Sequence, residues 1–83
     1  MENYAMRIGA LLAIATADST VTSYRLEKFL KSIDVDQSVI EYLFKIHQLK
    51  YVSGLDGEEV LVLTLEGKEW LRERLPETAN SSW

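Results

Sequence analysis

The apolar residues of this chain change their spacing after Lys50, and that change limits the possible folds more than any other feature. Before Lys50 they recur at helical intervals, as Val39 and Leu43 do. After it, two short β-rich runs, YVSGL and EEVLVLT, flank Asp56-Gly57, a dipeptide typical of a two-residue hairpin turn. The sequence therefore predicts helices followed by a β-hairpin.

Three helices are expected before the hairpin and one after it, and an N-cap residue marks the start of the last three. The first helix covers residues 3–17. The second has Thr22 as its N-cap and runs to about Ser32, and the third has Asp36 as its N-cap and runs to Lys50. The fourth has Thr64 as its N-cap and runs to about Leu75, where Pro76 ends it. The residues expected to face the core are Leu26, Phe29, Leu30 and Ile33, then Val39, Leu43 and Ile46, and finally Leu65, Trp70, Leu71 and Leu75.

Length and charge narrow the class of protein. Eighty-three residues predict one domain over residues 1–76, with a flexible tail at 77–83. A net charge of −4 disfavours broad, non-specific attraction to nucleic acid or to anionic membranes. The chain has no cysteine, so disulfides and thiolate metal sites are excluded.

The N-terminal segment is strongly apolar but too short to be a membrane helix. Its uninterrupted run spans residues 8–15, well below the roughly 20 residues that cross a bilayer. We therefore expect a buried helix in a cytoplasmic protein, with no membrane partner. Because apolar residues surround most of this helix, Ile8 and Leu12 are predicted to contact a second copy in a homodimer.

The predicted order, α-α-α-β-β-α, is mainly helical with a small β-hairpin and resembles the winged helix-turn-helix fold. Two segments carry the resemblance. VIEYLFKIHQLKYVSG is similar to a recognition helix entering a wing strand, and VLVLTLEGKEWL, with its LT-x-x-G motif, is similar to the end of the wing in MarR-like and PadR-like regulators. The resemblance implies a dimeric transcriptional regulator whose third helix enters the major groove of double-stranded DNA.

Carried over by position, the resemblance gives a set of candidate DNA-binding residues. The groove-facing residues would be Gln37, Ser38, Glu41, Phe44, Lys45 and Gln48. Of these, Gln37, Ser38 and Gln48 would read base edges and Lys45 would pair with phosphate. Arg25, Lys28 and Lys31 give the second helix a basic side over the DNA backbone.

Other features depart from a DNA-binding pattern and support an alternative, a winged-helix module that binds protein and has lost DNA binding. Glu41 would repel phosphate, Phe44 is expected to be an exposed ring, and the wing tip is acidic. The second wing strand is apolar on both faces, which would leave one apolar face exposed. The candidate interface residues are Phe44, Glu41, Val60, Val62, Ile8 and Leu12.

Catalysis, cofactors and metals are not expected. The single histidine, His47, is interpreted as a half-buried structural residue. The segment DVDQS resembles the start of a calcium loop, which has glycine at its sixth position and glutamate at its twelfth. Those positions are Val39 and Lys45 here, so a calcium loop is rejected. Because phosphate-binding glycine loops and nucleophile constellations are also missing from the sequence, the chain is predicted not to be an enzyme.

Overall fold

The helices and strands follow the predicted order. A computed structural model describes residues 4–75 of the chain. Its elements are α1 (Tyr4–Thr16), α2 (Leu26–Ser32), α3 (Gln37–Lys45), β1 (Leu49–Ser53), β2 (Glu59–Leu63) and α4 (Leu65–Arg72). This order confirms the predicted fold class, a mainly helical winged-helix arrangement with a small hairpin. The predicted tail and Pro76 lie outside the described residues.

Side chains that accept hydrogen bonds from backbone amides cap two of the three helices for which an N-cap was predicted. Asp36 accepts a hydrogen bond from the Ser38 amide at 3.0 Å, as an N-cap of α3 should. The N-cap at Thr64 is confirmed by α4, which follows it directly. The N-cap predicted at Thr22 is wrong, because α2 begins at Leu26. The Thr22 hydroxyl instead accepts from the Arg25 amide at 3.2 Å and stabilises the turn before the helix.

The third helix ends at Lys45, five residues earlier than predicted, because the backbone turns left-handed at His47 (φ 62°). The amide of Gln48 donates to the carbonyl of Leu43 at 2.9 Å, and the amide of His47 donates to that of Phe44 at 3.1 Å. These two bonds form a Schellman motif, which satisfies carbonyls at a helix end and reverses the chain. The chain therefore leaves α3 directly into β1.

The hairpin turn is one residue longer than the predicted two-residue loop. The amide of Gly57 donates to the carbonyl of Gly54 at 3.2 Å, and the amide of Gly54 donates to that of Glu58 at 2.7 Å. Leu55 and Asp56 are therefore the central turn residues, and Gly57 follows with a φ of 77°. A three-residue hairpin loop needs this left-handed position, which glycine occupies without steric cost.

A short segment before α2 pairs with the outer edge of β2. Thr22 forms an antiparallel bridge with Val60, the amide of Leu61 donates to the carbonyl of Val21 at 2.7 Å, and that of Ser23 donates to the carbonyl of Glu59 at 3.1 Å. Val60 is consequently only 6% exposed.

The expectation that one apolar face of β2 is exposed is therefore wrong. Leu61 and Leu63 are buried beside Val60, and Val62 is half-buried. Of the two candidate interface residues on this strand, Val60 is structural, and Val62 offers only part of its side chain.

The core lies where α1 packs against α3, α4 and β2. Its buried apolar residues are Ala10, Leu11, Ile14, Val21, Leu30, Val39, Ile40, Leu43, Leu49, Leu61, Leu63 and Leu71. One predicted core residue, Leu65, is the first residue of α4 and is 68% exposed, so the expectation that it faces the core is wrong. None of the helices in residues 4–75 has the length and apolarity required to cross a bilayer.

Candidate nucleic-acid interface

The outer side of α3 carries four of the six residues predicted to face the major groove of DNA. Gln37, Ser38, Glu41 and Lys45 are all exposed. Gln37 and Ser38 occupy the first turn, where their amide and hydroxyl groups are accessible, and Lys45 lies at the opposite end of the helix. This surface combines two uncharged hydrogen-bonding side chains, one cation and one carboxylate.

Gln48, predicted to read base edges, is instead a buried structural residue. It is 5% exposed, and its Oε1 accepts a hydrogen bond from Nε of Arg7 at 3.0 Å. The guanidinium of Arg7 also lies 3.8 Å from the ring centroid of Trp70 and 5.7 Å from that of Tyr42. Gln48 thus connects α1, the end of α3 and α4, and its side chain faces away from the solvent.

The LT-x-x-G motif locks the end of α3 to the start of α4. The hydroxyl of Thr64 donates to the carbonyl of His47 at 2.6 Å and accepts from the amide of Gly67 at 3.0 Å. The amide of Thr64 donates to the carbonyl of Gln48 at 3.0 Å. A Cβ at Gly67 would collide with that same carbonyl oxygen, so α4 packs on the chain at this point through bare backbone.

His47 contributes to this junction through its backbone. Its side chain is exposed, which corrects the expectation of a half-buried imidazole. The residue holds a left-handed turn, and its carbonyl accepts from Thr64.

Phe44 fills the junction between α3 and β1. Its ring stacks on Tyr51 with centroids 5.1 Å apart and planes 29° from parallel, and it packs against the core. The ring is therefore half-buried, and the expectation of an exposed anchor is wrong. Burial, with a smaller contribution from Glu59, raises the pKa of the Tyr51 hydroxyl.

The exposed cations lie mainly on the helix-turn-helix. Residues 24–48, which contain α2 and α3, carry four cations and four carboxylates and so have no net charge. The four cations, Arg25, Lys28, Lys31 and Lys45, are all exposed, and the first three lie on α2 or directly before it. Lys31 lies 3.5 Å from Glu27 in a solvent-exposed pair, which solvent screens strongly.

The hairpin is acidic. Residues 49–63 contain one cation, Lys50 on β1, and three carboxylates, a net charge of −2. Asp56, Glu58 and Glu59 are all exposed. The helix-turn-helix is therefore neutral overall, with three of its four cations grouped at α2, and the wing is acidic.

Comparisons with protein-family models, with curated proteins and with solved structures gave no match. The resemblance to MarR-like and PadR-like regulators stays a prediction. Within residues 4–75 there is no cluster of histidine and carboxylate side chains that could hold a metal ion.

Proposed function

We propose that this chain is a DNA-binding regulator of the winged-helix class that contacts the duplex through α2 and the exposed side of α3. The observation that carries the proposal is the grouping of exposed cations on the helix-turn-helix. Arg25, Lys28 and Lys45 would contact phosphates, which fix the position of a protein on DNA. Gln37 and Ser38 would contact base edges from the first turn of α3.

The wing contributes little to this contact. The acidic tip would repel phosphates. Phe44 stacks on Tyr51 and Gln48 accepts a hydrogen bond from Arg7, so neither side chain is available to DNA. One chain offers four cations for phosphate contact, Arg25, Lys28, Lys31 and Lys45, so it neutralises at most about four phosphates. Each neutralised phosphate contributes about −0.9 to the slope of log affinity against log salt. The protein should therefore bind weakly, with a shallow salt dependence.

Dimer formation through α1 would raise that affinity by engaging two helix-turn-helix units. Ala5 and Gly9 are exposed on this helix, while Ile8 and Leu12 are half-buried and keep part of their surface accessible. Its single charged residue, Arg7, is engaged with Gln48 and Trp70. Sedimentation should show a dimer at micromolar concentration, and Leu12→Lys should shift it towards monomer. A monomer at high concentration would remove this part of the proposal.

A fluorescence titration with a mixed-sequence duplex at low salt tests the DNA contact. Lys28→Ala and Lys45→Ala should each weaken binding several-fold and make the salt slope shallower by about 0.9 per chain. The matched control is Lys68→Ala on α4, which removes an exposed cation from another surface and should leave affinity unchanged. An equal loss in the control would contradict the proposed surface.

The second candidate function is a winged-helix module that binds protein. The acidic wing tip supports it, together with Leu55, whose side chain is fully exposed there. Failure of the folded, dimeric protein to bind any duplex at low salt would favour this candidate over the first.

A further inference from the structure

A groove of about 720 Å³ lies along the outer face of the hairpin. Its floor contains three residues from adjacent strands, because Val52 pairs with Val60 and Thr22 bridges Val60. Side chains of paired residues point to the same side of a sheet, and alternate residues point to the other. Val52 and Val60 therefore lie on the groove side of the sheet, where Val52 is 36% exposed and Val60 is buried, while Leu61, which is fully buried, faces the core.

Three of the four charged residues that line this groove, here called the wing groove, are acidic. One wall is the loop after α1, which contributes Asp18, and the other is the wing tip, which contributes Asp56 and Glu58. Arg25 is the one cation among the lining residues described. Leu55 also lines the groove and is fully exposed. An aliphatic surface thus lies between walls with three carboxylates and one cation.

From this arrangement we infer that the wing groove binds a basic segment of a partner protein. An aliphatic side chain of the segment lies over Val52 and Leu55, and flanking lysines or arginines pair with Asp18, Asp56 and Glu58. Complementary charge selects partners and speeds their encounter, so three carboxylates around an apolar floor favour a segment that is basic and carries an apolar side chain. The inference adds a protein partner to a module whose proposed DNA surface shares one residue, Arg25, with the groove.

Charge disfavours the other occupants of the groove. A second copy has a net charge of −4, and two identical grooves that faced each other would bring two sets of three carboxylates together. The segment at residues 76–83 contains one carboxylate, Glu77, and no lysine or arginine, so it would not neutralise the walls. A basic partner is the occupant that neutralises the walls.

Fluorescence anisotropy with a short labelled peptide, in which lysines surround a central leucine, tests the inference without DNA. The protein should bind this peptide and should not bind its counterpart with glutamates in place of lysines. The double variant Asp56→Asn, Glu58→Gln should weaken binding about tenfold, because each exposed pair contributes a few-fold. The matched control, Glu66→Gln with Glu69→Gln, removes the same charge from α4 and should change affinity less than about twofold.

The apolar part of the groove has its own test. Leu55→Ser changes a fully exposed side chain, so the fold should be unaffected while peptide affinity falls several-fold. Equal losses in the two double variants would overturn the inference, since they would indicate general attraction to an acidic protein. The inference would also be overturned if a serine-centred peptide bound as tightly as the leucine-centred one. The same holds if Leu55→Ser converted a dimer to monomer in sedimentation.

Discussion

Arg7 and Gln48 lie 41 residues apart in the sequence, and a hydrogen bond of 3.0 Å joins Nε of the first to Oε1 of the second. This contact ties α1 to the end of α3 and gives the one charged residue of an apolar helix a polar partner. It also explains why a glutamine at a position predicted to read DNA bases is unavailable for that role.

Replacement of Gln48 should therefore lower stability. Gln48→Ala leaves the buried side of Arg7 without this acceptor, and we expect the free energy of unfolding to fall by about 2 kcal/mol. The control Gln37→Ala removes the same side chain from an exposed position and should cost no more than about 0.5 kcal/mol. Urea denaturation measures both. A Gln48→Ala protein of normal stability that no longer bound DNA would restore Gln48 to the reading surface.

Gly67 should tolerate no side chain, because its Cα faces the carbonyl of Gln48. We expect Gly67→Ala to cost about 3 kcal/mol through displacement of α4, despite the higher helix propensity of alanine. On α1, Gly9 offers the opposite case, since a Cβ there meets nothing within 4 Å. Gly9→Ala should add about 0.5–1 kcal/mol. The midpoints of thermal or urea unfolding should fall for Gly67→Ala and rise for Gly9→Ala. Midpoints that shifted in the same direction would refute this packing.

The stacked pair of Phe44 and Tyr51 should contribute to stability as a unit. Phe44→Ala and Tyr51→Ala are each expected to destabilise the fold, with a coupling of about 0.5–1.5 kcal/mol in a double-mutant cycle. An exposed ring at this position, as expected from the sequence, would contribute little to stability, whereas the half-buried ring of Phe44 packs on Tyr51. Additive losses would mean that the two rings do not interact in solution.

Local chemistry made much of the fold predictable. The period change after Lys50 located the hairpin, and the cap residues Asp36 and Thr64 act on amides two or three positions away. Such signals are contained in a few neighbouring residues, so a single sequence is sufficient to recognise them.

Contacts between distant residues account for most of the errors. A single bridge from Thr22 covers the edge of β2, and one isolated pairing has no periodic signature in the sequence. The orientation of Gln48 depends on a partner 41 residues away. A lone arginine inside an apolar helix, Arg7, was the available signal, since a buried charge requires a partner.

A map of backbone amide chemical shifts during titration with duplex DNA at low salt shows directly which surface of the protein contacts DNA. If the helix-turn-helix contacts DNA and the acidic wing does not, the largest changes should occur at Arg25, Lys28, Gln37, Ser38 and Lys45. The wing tip at Leu55–Glu58 should show little change. Changes concentrated at the wing tip, or none anywhere at saturating duplex, would contradict the account.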